Sequence, residues 1–450
     1  MPDLASIVKA YDIRGVVPDQ LDESVAQAVG AAFVRFLDAK AVVTGHDMRE
    51  SSPGLARAFA EGATSQGADV IEIGLASTDL LYFASGSLDV PGAMFTASHN
   101  PARYNGIKLC RAGAAPVGQD TGLTEIRDLG LAGVPSYDGD PGTITQRDVL
   151  ADYAAYMKKL VPGIESIRRL SVVVDAGNGM GGLTVPVVFD GLPVDLTSMY
   201  FELDGSFPNH EANPIEPANM RDLQAKVREV GADIGLAFDG DADRCFVVDE
   251  RGEVVSPSVL TALIAVRELE REPGATVIHN LITSHAVPEI VVEHGGTAVR
   301  TRVGHSFIKA KMAETGAVFG GEHSGHFYFR DFWRADSGML AALHTLAALG
   351  NTDEPLSTVL SSYSRYVASG EINSEVDDQT GRMQAIETAF GSRTGVTLDH
   401  LDGLTVDLPD GSWFNVRPSN TEPLLRLNVE GPDEAAMSRL RDEALAIIRT

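Results

Sequence analysis

The chain has 450 residues, with 63 acidic against 36 basic side chains and a formal net charge of −27. That balance argues against an extended nucleic-acid surface, which would be basic, and any site for an anion must gather its own minority of Lys, Arg and His. No apolar run approaches the ~20 residues that cross a bilayer, the N-terminus lacks the charged-then-apolar pattern of a secretory signal, and two distant cysteines, Cys110 and Cys245, suit a reducing cytoplasm rather than a disulfide framework.

The stretch Lys9-Ala-Tyr-Asp-Ile-Arg-Gly15 offers Tyr11 and Arg14 near the start. Buried strands are expected at 41–44 and 69–73, with a helix over 53–66 between them and Ser51 or Ser52 as its cap. A strand at 171–175 runs into the glycine-rich turn Gly177-Asn-Gly-Met-Gly-Gly182. The Gly-x-Gly-x-x-Gly spacing can be forced onto that turn, but no helix followed by an acidic strand end comes after it, so it reads as a strand-to-helix turn rather than a dinucleotide site. Strands at 232–238, 275–279 and 297–300, with a helix over 284–294, continue the alternation of an α/β chain with mixed sheets.

Three apolar strands lead into polar loops of one layout. Phe95 opens Thr96-Ala-Ser-His-Asn-Pro101, Phe238 leads into Asp239-Gly-Asp-Ala-Asp-Arg244, and Phe319 into Gly320-Gly-Glu-His-Ser-Gly-His326. These mark three related α/β domains, each offering one loop from a strand end, where open sheets bind ligands. Beyond about residue 365 the pattern changes to strands at 372–376, 404–408 and 412–416 and helices over 379–390 and 433–449, a smaller α+β domain. The last helix has apolar spacing at Met437, Leu440, Ala444 and Ile447. The resulting domains are 1–148, 149–252, 253–364 and 365–450.

The loop chemistry has bland readings beside sharp ones. Asp239, Asp241 and Asp243 alternate at period two, so their carboxylates fall on one side and repel unless a cation lies between them; the bland reading is a solvated acidic turn. Ser98 is a turn former, or a serine held at a strand end to carry a phosphoryl group. His99 is adjacent, and neighbouring side chains of an extended segment point apart, which argues against a Ser-His dyad. Lys108, on the strand expected to return from the serine loop, could hold phosphate oxygens or move protons. Glu322 and Ser324 suit vicinal sugar hydroxyls better than His323 and His326 suit a zinc spacing. Arg417, Ser419, Asn420 and Thr421 carry a guanidinium fork, two hydroxyls and an amide for a phosphate dianion, or form a turn between strands. Arg302 and His305 lie in a further polar stretch.

Together "KAYDIRG", "TASHNP", "NGIK", "DGDADR", "GEHSGH" and "RPSNTEP" resemble the α-D-phosphohexomutase superfamily in kind and in order, and its phosphomannomutase/phosphoglucomutase branch most closely. The resemblance implies four domains around a central cleft and a resting phosphoserine at Ser98. It implies Mg²⁺ held by Ser98, Asp239, Asp241 and Asp243, with Arg14, His99 and Arg244 supporting the phosphoserine. Lys108 and His326 would do acid/base work, and Tyr11, His305, Glu322, Ser324, Arg417, Ser419, Asn420 and Thr421 would bind substrate. Ala242 stands where such proteins often have glycine, and His323 takes no role. The implied activity interconverts hexose 1-phosphate and hexose 6-phosphate of mannose or glucose, through a hexose 1,6-bisphosphate, in a cytoplasmic protein with no nucleic-acid or membrane partner; a monomer is the expectation. The alternatives are a phosphoglucosamine mutase or phosphopentomutase, a Mg²⁺-dependent sugar phosphatase, and a non-catalytic sugar-phosphate binder.

Overall fold

The computed structural model describes residues 4–419 and 424–450, and of His305 and Ser306 only the backbone. The chain forms two compact units: residues up to Ser256 with Ser324–Ser357, and Pro257–His323 with Thr358–Thr450.

The first unit opens with a seven-stranded sheet. Its strands are β1 (Ile13–Val16), β2 (Ala41–His46), β3 (Asp69–Leu75), β4 (Gly92–Phe95), β5 (Tyr104–Arg111), β6 (Ala115–Pro116) and β7 (Ile144–Gln146), in the order β1-β5-β4-β2-β3-β7, with β6 on β5. β2 lies parallel to both β3 and β4, and β4 pairs antiparallel with β5. From β2 the chain crosses to β3 on one side, then through helix Thr78–Leu88 to β4 on the other. The ends of β2 and β4 therefore flank a topological switch point, the crevice where open α/β sheets take ligands. Helices Glu23–Leu37 and Ser52–Thr64 pack at glycine contacts: a Cβ on Gly30 would stand 2.2 Å from the Phe59 carbonyl oxygen, an approach only glycine permits. Ser51 occupies the cap position of the second helix, but its side chain bonds none of the helix amides. Its hydroxyl accepts instead from Asn105 Nδ2, and Ser52 Oγ donates to Asp47.

A second sheet in this unit comprises β8 (Leu170–Asp175), β9 (Val194–Met199), β10 (Ile234–Phe238), β11 (Cys245–Asp249) and β12 (Val254–Val255), in the order β12-β11-β10-β8-β9. β10 is buried throughout and parallel to β8, and β11 returns antiparallel to it. The glycine turn after β8 does lead into a helix, Gly181–Phe189.

In the second unit, β13 (Thr276–Asn280) lies parallel to β14 (Thr297–Thr301) and β15 (Phe319–Gly321). β16 (Phe327–Phe329) and β17 (Ala335–Asp336) form an antiparallel hairpin of the first unit, followed by the buried helix Gly338–Gly350. The second unit closes with the antiparallel sheet β18 (Val367–Glu375), β19 (Thr397–Asp399), β20 (Leu404–Asp407), β21 (Trp413–Pro418) and β22 (Leu424–Gly431), in the order β18-β22-β21-β20-β19. Helices Gln379–Gly391 and Glu434–Ile448 pack on it. In the last helix Met437, Leu440 and Ala444 are buried as spaced, and Ile448 rather than Ile447 completes the stripe, four residues after Ala444 on the same face. The α/β class expected from sequence is the one found, with an antiparallel C-terminal α+β domain.

Candidate active site

Two hairpin connections of the first unit meet main chain to main chain. One joins β4 to β5 and carries Ser98; the other joins β10 to β11 and carries the three aspartates. A Cβ on Gly240 would stand 2.4 Å from the Ser98 carbonyl oxygen, and one on Gly179 2.7 Å from the Gly240 carbonyl oxygen. Glycines at these points let the serine loop, the acidic loop and the glycine turn stack without side chains between them.

Ser98 is 5 % exposed and has a left-handed backbone, φ +50°. Its amide donates to Thr96 Oγ1 at 2.9 Å, and its hydroxyl donates to Asp239 Oδ2 at 2.9 Å. His99 Nδ1 lies 3.2 Å from the same hydroxyl. The sequence argument that set these side chains apart assumed an extended segment; the left-handed turn at Ser98 removes that premise and brings them together. Burial, with Arg244 and Arg14 close by, pushes His99 down to about 2, so its ring is neutral.

An oxygen from each of Asp239, Asp241 and Asp243 lies within 4.8 Å of the others, and all three residues are buried. They converge across a turn, closed by Ala242 N donating to Asp239 O at 3.0 Å, rather than along an extended strand. Lys108, opposite Met94 in the β4–β5 pairing, donates to Asp241 Oδ2 at 2.6 Å and Asp243 Oδ2 at 2.7 Å. Burial alone would lower Lys108, but those two carboxylates outweigh it and hold the ammonium well above the usual lysine range. Burial raises Asp239, and its neighbours Asp243 and Asp241 add to the rise against the pull of Arg244. Arg244 Nε donates to Asp239 Oδ2 at 2.9 Å, while its Nη2 is buried with no acceptor among the described residues. His326 Nδ1 sits 3.0 Å from Asp336 Oδ2 and 3.8 Å from Asp243 Oδ1; these carboxylates raise it although burial opposes them.

These side chains suit a hard cation. Every donor is a carboxylate or hydroxyl oxygen, and Asp241 Oδ1 and Asp243 Oδ1 are buried with no hydrogen-bond partner among the described residues. Such orphaned acceptors are costly unless something positive meets them.

Arg14, on β1, donates from Nη1 to Asn100 Oδ1 at 2.6 Å and pairs through Nη2 with Asp12, so it reaches the serine loop through Asn100. Tyr11 and Ser324, also of the first unit, are half-buried. In the second unit Glu322 is 2 % exposed, and its Oε1 accepts from Asn280 Nδ2 at 3.3 Å and Gly304 N at 3.2 Å. Arg417 Nη2 donates to Glu371 Oε2 at 2.9 Å, and Ser419 N to Leu424 O at 2.8 Å. The side chain of His305 and the residues Asn420 and Thr421 lie outside the described residues.

Sequence reasoning missed several contributors. Thr78 donates its hydroxyl to Asp241 Oδ2 at 2.6 Å and its amide to Asp241 O at 2.9 Å. Asp336 backs His326, and Arg49 lies under the serine loop. Asp47 and Arg49 follow β2 at the switch point, and that position at a strand end was the available signal.

A buried serine over three convergent carboxylates, with lysine, arginine and histidine around it on an α/β frame, defines an enzyme that transfers phosphoryl groups. Profiles of the phosphoglucomutase/phosphomannomutase family match the chain end to end: α/β/α domain I at residues 5–130, domain II at 151–252, domain III at 256–366 and the C-terminal domain at 371–447. The chain is 41 % identical over 444 residues to the phosphohexose mutases of Xanthomonas campestris pv. campestris, covering 97 % of this chain and 98 % of that one. It is 38 % identical to the phosphomannomutase of Escherichia coli K12, with 97 % of each chain covered. The crystal structure of a phosphoglucomutase/phosphomannomutase family protein from Burkholderia thailandensis superposes with a TM-score of 0.89 at 33 % identity, covering 100 % of this chain and 98 % of that one. The chain belongs to the phosphoglucomutase/phosphomannomutase family.

Proposed function

We propose that this protein interconverts the 1-phosphates and 6-phosphates of mannose and glucose through a phosphoserine at Ser98. The observation that carries the reading is the Ser98 hydroxyl bound to Asp239 beside two carboxylates whose buried oxygens have no hydrogen-bond partner among the described residues. Phospho-Ser98 gives its phosphoryl group to a sugar hydroxyl: the bond from phosphorus to Ser98 Oγ breaks as the bond to the sugar oxygen forms. The hydroxyl proton passes to His326 in its neutral form, while Lys108, held as an ammonium by Asp241 and Asp243, is placed to act as the acid that returns a proton to the sugar oxygen. The resulting hexose 1,6-bisphosphate reorients, and its other phosphate returns to Ser98 by the reverse steps.

Asp239, Asp241, Asp243 and the Ser98 phosphate would hold Mg²⁺, which offsets charge on the transferring group. Arg244, whose Nη2 has no acceptor among the described residues, takes a phosphate oxygen, and Arg14 and neutral His99 support the loop. We assign Glu322 and Ser324 to sugar hydroxyls, Tyr11 and His305 to substrate, and Arg417, Ser419, Asn420 and Thr421 to the phosphate that is not reacting. Domains at 1–148, 149–252, 253–364 and 365–450 fit this division of labour. No helix among the described residues is long and apolar enough to cross a membrane. Two cysteines, both buried and far apart in the chain, suit work in the cytoplasm, and a monomer is part of the same reading.

The test is an assay with mannose 1-phosphate, glucose 1-phosphate and glucosamine 1-phosphate. The 6-phosphates of the first two should appear with no inorganic phosphate. Release of phosphate would make the protein a phosphatase, and turnover confined to the amino sugar would make it a phosphoglucosamine mutase.

A further inference from the structure

Arg49 touches none of the reacting groups, yet its side chain is 1 % exposed and all five of its N–H donors are used. Nε donates to Asp47 Oδ2 at 3.1 Å. Nη1 donates to Pro101 O at 2.9 Å and Tyr104 O at 3.0 Å. Nη2 donates to Ser98 O at 2.8 Å and Asn100 O at 2.6 Å. Four of the five acceptors are main-chain carbonyls of one connection, the segment that carries Ser98. A guanidinium taken this far from water is tolerated only when its donors are matched, and here they are matched almost wholly by that segment.

We infer that Arg49 is a positioning residue for phosphoryl transfer: its planar fork fixes the 98–104 segment so that the Ser98 hydroxyl stays on Asp239. The inference rests on the phosphoserine reading above. Ser98 has a left-handed backbone that a serine does not adopt without restraint, and its carbonyl is pinned between Arg49 Nη2 and the close-packed Gly240. The clamp is itself braced. Asp47 Oδ1 accepts from Arg49 N at 3.0 Å and from Ser52 Oγ at 2.5 Å, and the Phe207 ring covers the guanidinium carbon at 5.0 Å. The flat fork matters as much as the charge, because an ammonium has three donors in no plane and cannot hold four carbonyls in a row.

The experiment compares wild type with Arg49→Lys, which keeps a cation beside Asp47. Arg49→Ala serves as a second variant, with and without millimolar guanidinium. In Arg49→Lys, kcat should fall by about 100-fold, the loss expected when reacting groups shift by about 1 Å, while KM for the hexose phosphates stays within about threefold. Amide hydrogen exchange should quicken at residues 98–104 and stay unchanged in β2 and β4. Guanidinium should restore part of the activity of Arg49→Ala. Wild-type kcat in Arg49→Lys, or faster exchange spread over the whole sheet with no local excess, would overturn the clamp. Intact mass and turnover of the wild type report separately on the phosphoserine reading. If the wild type carries no phosphate and turns over no sugar, that reading falls, and local hydrogen exchange in Arg49→Lys alone decides whether Arg49 holds the loop.

Discussion

Ala242 carries a strain that a sequence cannot display. Its φ is +58°, in the region glycine enters freely and alanine does not. It lies between the aspartates, where the resemblance drawn from the sequence implies glycine. The backbone supplies the consequence: Ala242→Gly should stabilise the protein by about 0.5–1 kcal/mol with activity retained, as read from chemical denaturation. A neutral or destabilising result would mean the turn relaxes around alanine at no cost. Ser98 offers a sharper measurement. Intact mass should show one phosphate on a fraction of the wild type and none on Ser98→Ala, whose turnover should collapse while its melting curve persists. Retained turnover in that variant would return Ser98 to the role of turn former. Ser98, Lys108 and the aspartates were legible because they meet through their side chains and sit in compact motifs. Arg49 was not, because its partners are main-chain carbonyls, which any residue supplies.

The elements were legible where burial is one-sided. The helix expected over 53–66 is found at Ser52–Thr64, and the strand expected at 41–44 extends to His46. Helices Thr78–Leu88 and Gly338–Gly350 escaped notice because both are buried on nearly every face and show no polar stripe to set the period. Those two are tied by Asp79, whose carboxylate accepts from Ser77 Oγ, from Tyr153 OH at 2.8 Å and from Ser337 Oγ at 2.7 Å. Burial outweighs these donors and pushes Asp79 up to about 6, from 3.8. An acid raised by folding favours the folded state while protonated. Its stabilising share is therefore present below about pH 4 and is lost as pH rises to about 6, on the order of 3 kcal/mol. Asp79→Asn should flatten the stability profile over that interval relative to wild type; parallel profiles would place the titration elsewhere. Among the loops, Gly240→Ala would drive a methyl into the Ser98 carbonyl, so kcat should fall about 100-fold. Wild-type kcat would show that the stacked loops can part without moving the serine.

For the whole molecule, a cation held only by native geometry must also stabilise it. At a concentration of 100 Kd, Mg²⁺ should add about 2.7 kcal/mol to unfolding, visible in calorimetry as a rise in the transition of the first unit. Excess chelator should abolish turnover, and Asp241→Asn should raise the Mg²⁺ needed to restore it. No rise in melting with Mg²⁺ would remove the cation from the acidic loop.

The first unit is not continuous in the chain. It pauses at Ser256 and resumes at Ser324, where it acquires the hairpin with Asp336 and then the helix Gly338–Gly350. That helix is buried against the first unit's own elements, and Ser337 at its start holds Asp79. A ribosome that has just completed the acidic loop has thus made a body with a missing wall. At about 5–20 residues per second, the intervening segment imposes a wait of several seconds before His326 and its carboxylate partner emerge. During that wait the serine and aspartates can meet, but Asp79 lacks Ser337, and helix Leu150–Leu160 and β11 lack the returning helix that packs on them. A chain released at Ser256 should therefore be a client for chaperones rather than a small working enzyme, although it contains Ser98 and all three aspartates.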